Sequence, residues 1–330
     1  MACPGEIVYT LALVSSMNGT SSGTQTMTIS PLLRYLVSAL IFAGFVVFIE
    51  TYIGWAKLLA PWQSLSPAAL LIAVLLLTLS YWLRALRLFD YFRADMRGRF
   101  LMCTKLVLQH NLLNNLLPMR TGELSFPLLM SRYFNVPMIQ SMPALLWFRI
   151  FDLHTLILIA LIALGNWWLP RALVIPLSLV WLSLPWWLYR YSHRLIRQLD
   201  KRPHLGHTMQ LLYRSLQGLP QNHNRFVWSW IWTMINWLVK LAVLGWVLTR
   251  FLETSFSSAI IAAIAGDLTT VLPFHGIAGA GTYEAGVVSG LLLFGTDSAP
   301  ALQAAVNLHL FVLAGAIISG LFSQLIGKNS

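Results

Sequence analysis

Long apolar runs recur along this chain. Residues 32–54, 66–88, 138–164, 171–189, 226–250 and 300–326 each approach or exceed the ~20 residues that an α-helix needs to cross a hydrocarbon core. They predict six full spans. Two further apolar segments, 99–134 and 257–295, are built differently. Each breaks in its middle at a Leu-Pro step with Gly close behind, which leaves half-segments of roughly 13–19 residues, short for a span. Two short helices around an unwound Pro/Gly tip predict a re-entrant hairpin. Irregular backbone at that depth is tolerated where protein or a wet cavity covers it. If both hairpins cross fully instead, the chain has ten spans, five in each half.

Composition fits this pattern. The chain is 57% hydrophobic and 10% charged, with a mean hydropathy of +0.69. A soluble domain would need far more polar residues to cover its outside. The expectation is an all-α polytopic membrane protein with one transmembrane domain over residues 31–330. Residues 1–30 read differently: the Ser/Thr/Gly-rich stretch "SSMNGTSSGTQTMTIS" predicts disorder. A start at Met27 is an alternative, in which case residues 1–26 carry no function. Cys3 and Cys103 stand in unrelated contexts and support neither a disulfide framework nor a metal site.

Charge orients the chain. Sixteen of the 22 Lys and Arg fall on one side of the predicted spans, Arg84, Arg87, Arg93, Arg97, Arg99 and Lys105 among them. Only Lys57, Arg171 and Arg250 fall on the other. The excess of cations in cytoplasmic loops then puts both termini in the cytoplasm. The net charge of +11 is thus mostly a topology signal, and no basic soluble face for nucleic acid is evident. Within 190–225, "RLIRQL" and "MQLLYRSLQGL" are amphipathic and basic and are expected on the anionic cytoplasmic leaflet. His193, His204, His207 and His223 share that loop without a thiolate or carboxylate cluster, so they read as solvated side chains rather than metal ligands.

The two broken segments match each other in pattern. "LLPMRTGELSFPLL" and "VLPFHGIAGAGTYEAGVV" each place a basic residue two positions after Pro (Arg120, His275), then Gly, then Glu (Glu123, Glu284). Each follows two spans and precedes one. Halves of about 31–165 and 171–326, with three full spans apiece, predict an inverted repeat whose broken helices meet at the midplane and build the site. Gly122 and Pro118 unwind the first tip, and the returning helix directs its amide dipole there, which favours an anion. Glu123 serves as a helix cap or as part of a site. Arg120 suits bidentate contact with phosphate or carboxylate. Arg149 and Asp152, at i,i+3, share a helical face and form an ion pair that is structural or functional with equal weight. Lys240, with Asn236 a turn before it, lies in the middle of a span, and Asp267 precedes the second tip. Gln303, Asn307 and His309 lie on the last span. No catalytic, metal or cofactor-binding spacing is evident. "GIAGAG" lacks the preceding strand of a dinucleotide loop.

At three places the chain resembles the flippase-like family named for the transmembrane region of lysylphosphatidylglycerol synthase. They are "NNLLPMRTGEL" (Asn114–Leu124), "FRIFD" (Phe148–Asp152) and "LPFHGIAGAGTYEAG" (Leu272–Gly286). The resemblance spans about 31–326. It implies a bacterial inner-membrane protein that handles lipid or lipid-linked substrates. It carries over Pro118, Arg120, Gly122, Glu123, Arg149, Asp152, Gly279, Gly281 and Glu284. Phe148 stands where the family often has an acidic residue. The soluble aminoacyl-transferase domain is missing, so lysyl transfer to lipid is not expected. The leading expectation is a translocase for an anionic lipid or polyprenyl-phosphate carrier, with a substrate site at Arg120, Gly122, Glu123, Arg149, Asp152, Lys240, Asp267, His275, Gly279, Gly281 and Glu284. No cofactor is expected. The alternatives are an integral-membrane lipid-modifying transferase, or a non-catalytic subunit of one.

Overall fold

The computed structural model describes residues 31–201, 206–220, 222–269 and 277–327. The N-terminal segment 1–30, His204 and His275 fall outside them, as does the side chain of Arg120.

Every regular element among the described residues is helical. In chain order they are α1 (Pro31–Tyr52), α2 (Trp55–Leu59), α3 (Pro67–Tyr91), α4 (Arg93–Met96), α5 (Phe100–Leu116), α6 (Ser125–Phe134) and α7 (Met138–Trp168). Then follow α8 (Arg171–Leu199), α9 (His207–Gln217), α10 (His223–Phe251), α11 (Phe256–Thr269), α12 (Thr282–Leu292) and α13 (Ser298–Phe322). Among the described residues five helices are long and apolar enough to cross a membrane: α3, α7, α8, α10 and α13. The bent pair Ala43–Tyr52 and Trp55–Gln63 supplies a sixth if it counts as one span. The protein is therefore a multi-pass, all-helical membrane protein.

Local chemistry sets several boundaries. The Ser66 side chain accepts a hydrogen bond from Ala69 N–H, and Pro67 opens α3 at a position where its missing N–H costs nothing. Asn222 caps α10 in the same way through Asn224 N–H. Asn135, in the left-handed region at φ 55°, ends α6. α5 ends at Leu116, and Leu117, the residue before Pro118, is already extended, as a residue preceding Pro prefers; a 3₁₀ stretch, Pro118–Leu124, carries the chain into α6. The second broken segment runs from α11 through a 3₁₀ turn at Ile277–Gly279 into α12. α11 and α12 pack closely because small residues face each other. A Cβ on Gly290 would come within 2.6 Å of Ala262 Cα, and one on Gly286 within 2.6 Å of Ala265 O.

The largest core cluster draws side chains from α3, α10, α11, α12 and α13, among them Leu77, Leu244, Ala262, Val287 and Leu308. A second, around α3, α5, α6 and α7, includes Leu106, Met130 and Phe148.

The run expected as one span over 32–54 forms one helix, α1, and the chain then turns by 87° into a short piece over Trp55–Gln63. Polar groups of α13 hold the turned piece: Asn307 Nδ2 donates to Leu58 O at 2.8 Å, Gln303 Nε2 to Lys57 O at 2.8 Å, and Trp62 Nε1 to Asn307 Oδ1 at 2.7 Å. Gln303 and Asn307 are thus joints between helices. One expectation changes: three cations counted on the cytoplasmic side are inside the fold. Arg84 and Arg87 lie within α3, and Lys105 is buried in α5 with its ammonium on Ile326 O at 2.9 Å. The Lys105 contact satisfies a carbonyl at the chain's last helical turn.

Candidate functional site

The two tips meet. The Pro118–Leu124 stretch contacts the Ile277–Gly279 turn, and α1 contacts both. Beside them lies a cavity of about 660 Å³, lined from α3, α5, α7, α10, α11, α12, α13 and both tips. Its size is that of a small-molecule site.

Of the residues singled out in the sequence, Glu123, Arg149, Asp152, Lys240, Asp267 and Gly279 line this cavity. Gly122 lies behind the lining. A Cβ there would overlap Leu113 O and come within 2.5 Å of Asn114 Cα, so the tip packs on α5 at a distance only Gly permits. Gly281 and Glu284 also stand behind the lining. Gly281 takes φ 85°, and its N–H donates to Glu284 Oε2 at 2.8 Å. The other carboxylate oxygen of Glu284 lies 2.6 Å from His309 Nδ1, which ties the second tip to α13. His309 itself reaches the cavity, its ring stacked on Tyr283 at 4.4 Å.

The charges pair across long sequence distances. Asp152 receives Arg87 Nη1 at 2.7 Å and Trp237 Nε1 at 2.9 Å, while Arg149 stands at 3.8 Å. Arg149 has a nearer partner in Glu123, at 3.1 Å. The i,i+3 pair read from the sequence is thus the longer arm of a network, Glu123–Arg149–Asp152–Arg87, that joins the first tip to α7 and α3. Arg87 also donates to Thr233 Oγ1 at 2.9 Å and lies 4.6 Å over the Phe148 ring. A guanidinium over an aromatic ring is stabilised by the ring's negative face. Lys240 pairs with Asp267 at 2.6 Å and lies 4.8 Å from the Trp237 ring centroid. Buried charges so arranged meet the requirement that each have an opposite partner and hydrogen bonds.

Sequence reasoning missed Arg84, Asn111, Thr282, Tyr283 and Trp237 as lining residues. A signal existed for Arg84: "YWLRALRLFD" carries two Arg three apart inside an otherwise apolar run. Asn111 precedes the quoted Asn114 by one turn and shares its face.

One wall of the cavity is apolar. Met142, Leu145, Leu146, Ile150, Leu153 and Leu156 of α7 form it. Leu146 and Leu153 also look outward, 46% and 47% exposed. The same helix face therefore runs from the charged floor to the lipid-facing surface. Among the described residues no group of three or more His, Cys, Asp or Glu converges as a metal site.

No curated protein and no solved structure matches the chain. The family described as the lysylphosphatidylglycerol synthase TM region matches over residues 35–320, most of the length, and the chain belongs to that family.

Proposed function

We propose that this protein is a lipid translocase of the bacterial inner membrane, with both termini cytoplasmic, that carries an anionic lipid or a polyprenyl-phosphate-linked substrate. One observation carries the reading: a cavity whose floor is charged and whose α7 wall is apolar and continuous with the lipid-facing surface. That is the shape of an amphiphile's head and the start of its chains. Family membership supports a lipid-related role. Charges at this depth are costly and by default mark a substrate path. The matched breaks at Pro118 and Pro273 support an inverted repeat, in which rocking of one half against the other would open the cavity to either leaflet.

In this reading Arg120, on the first tip, binds the substrate's phosphate or carboxylate, with Glu123, Arg149, Asp152, Lys240, Asp267 and Gly279 around the cavity and His275 as a further substrate contact. Gly122, Gly281 and Glu284 hold the tips in shape. The test uses purified protein. Mass spectrometry of lipid that co-purifies is expected to find anionic or lipid-linked phosphate species, and incubation with that lipid is expected to yield no new covalent product. A new product would replace the reading with a lipid-modifying transferase. Arg120→Lys keeps the charge and removes the planar fork. It is expected to lower retention of the anionic lipid roughly tenfold while the protein still folds, since charge-assisted bonds contribute about 1.5–3 kcal/mol. Unchanged retention would mean that Arg120 is part of the scaffold.

A further inference from the structure

Three cations in or beside the cavity each have a carboxylate: Arg149 has Glu123, Arg87 has Asp152 and Lys240 has Asp267. Arg84 lines the same cavity and has no carboxylate within ion-pair distance among the described residues. It lies seven residues from the end of α3, roughly 10 Å of helix. Its Nη1 donates to Asn111 Oδ1 at 3.2 Å, and its guanidinium lies 5.9 Å from the Trp237 ring centroid. Neither neutralises it. A guanidinium has five N–H donors, so most of its fork is left for another acceptor.

The neighbouring groups have the same need. Asn111 is 7% exposed, and its Nδ2 makes no hydrogen bond of good geometry, with only the Tyr81 side chain beside it as an acceptor. Tyr283, from the second hairpin, is 2% exposed, and its hydroxyl has no hydrogen-bond partner. Both residues line the cavity. Buried polar groups are normally satisfied; these two unmet donors are closed to solvent here, so a ligand in the cavity would reach them through a side-chain rotation. Arginine, amide nitrogen and phenol all donate. The missing partner is therefore a set of acceptor oxygens carrying negative charge. The cavity carboxylates already hold cations, so none is left over for an ammonium group.

We infer that Arg84 and Asn111 form the phosphate-binding point of this cavity and select lipids whose headgroup carries a phosphate without a compensating ammonium; Tyr283 donates to a further headgroup oxygen. The inference rests on the lipid reading and names the substrate class for it. It also places recognition on α3 and α5, apart from the tip arginine.

The test adds phosphatidylglycerol, phosphatidylcholine, diacylglycerol or inorganic phosphate to the full chain in neutral detergent, and counts bound molecules by native mass spectrometry. Wild type should hold phosphatidylglycerol at least tenfold more tightly than the other three. Arg84→Gln and Asn111→Leu should each weaken phosphatidylglycerol roughly ten- to hundredfold and bring it close to phosphatidylcholine, with Arg84→Lys between. Arg250→Gln, which removes an exposed cation outside the cavity, should bind as wild type. If Arg84→Gln does not fold, Arg84→Lys and Asn111→Leu carry the comparison. Equal retention by wild type and the Arg84 and Asn111 variants overturns this inference and leaves the lipid reading standing. Inorganic phosphate bound as tightly as phosphatidylglycerol, with the same dependence on Arg84, overturns a lipid ligand. No preference among lipids by wild type overturns both.

Discussion

Asp152 accepts from Arg87 and Trp237 and faces Arg149, so it neutralises charge that α3 and α7 bring into the membrane. Losing that charge strands the guanidinium of Arg87. Asp152→Asn is therefore expected to destabilise the fold by about 3–5 kcal/mol, read as a lower melting temperature in detergent. Unchanged melting with lost transport would assign Asp152 to the substrate instead. At this scale the sequence is partly legible. Arg149 and Asp152 announce a shared face by their spacing. The closer partner, Arg87, stands 65 positions earlier and reads as a loop cation. Lys240 and Asp267 were separately visible as membrane charges. Their pairing at 2.6 Å comes from the packing of α10 against α11, which no local pattern encodes.

The broken segments are the elements on which the site depends. Their Pro and Gly positions make them visible, because each residue acts on its own backbone: Pro118 ends α5, and Gly122 lets the tip lie on it. A methyl at residue 122 meets backbone atoms of α5 that cannot rotate away. Gly122→Ala is expected to cost about 1–3 kcal/mol by overpacking and to slow transport, because it displaces the tip that carries Glu123. Gly44→Ala is the matched control. Nothing lies within 4 Å of a Cβ there, so neither stability nor transport should fall. Equal behaviour of the two variants would remove the tip from the account. The turn after Tyr52 was not legible. It is held by Gln303 and Asn307, some 245 residues away, and hydropathy carries no trace of it.

For the whole molecule, hydropathy made the membrane class visible and located the five long apolar helices, since length and apolarity are properties of each run alone. Orientation rests on the loop cations. Arg84, Arg87 and Lys105 leave that tally because they lie inside the fold, while the Arg190–Arg225 region remains basic. The helix α9 in that region packs on α7, where Trp147 Nε1 donates to Ser215 O at 2.6 Å. Pro203→Cys should react with a membrane-impermeant thiol reagent only from the cytoplasmic face. Reaction from the outer face would invert the topology.

The central claim is movement of a lipid through the cavity between the tips. Its most direct measurement uses vesicles of phosphatidylcholine that contain the purified protein and a trace of headgroup-labelled phosphatidylglycerol. An impermeant quencher reports how fast inner-leaflet label reaches the outer leaflet. Exchange faster than in protein-free vesicles is expected, with an unaltered labelled lipid and at least tenfold slowing by Arg84→Gln. Exchange no faster than in empty vesicles, or label recovered in a new covalent product, would contradict movement of a lipid through the cavity.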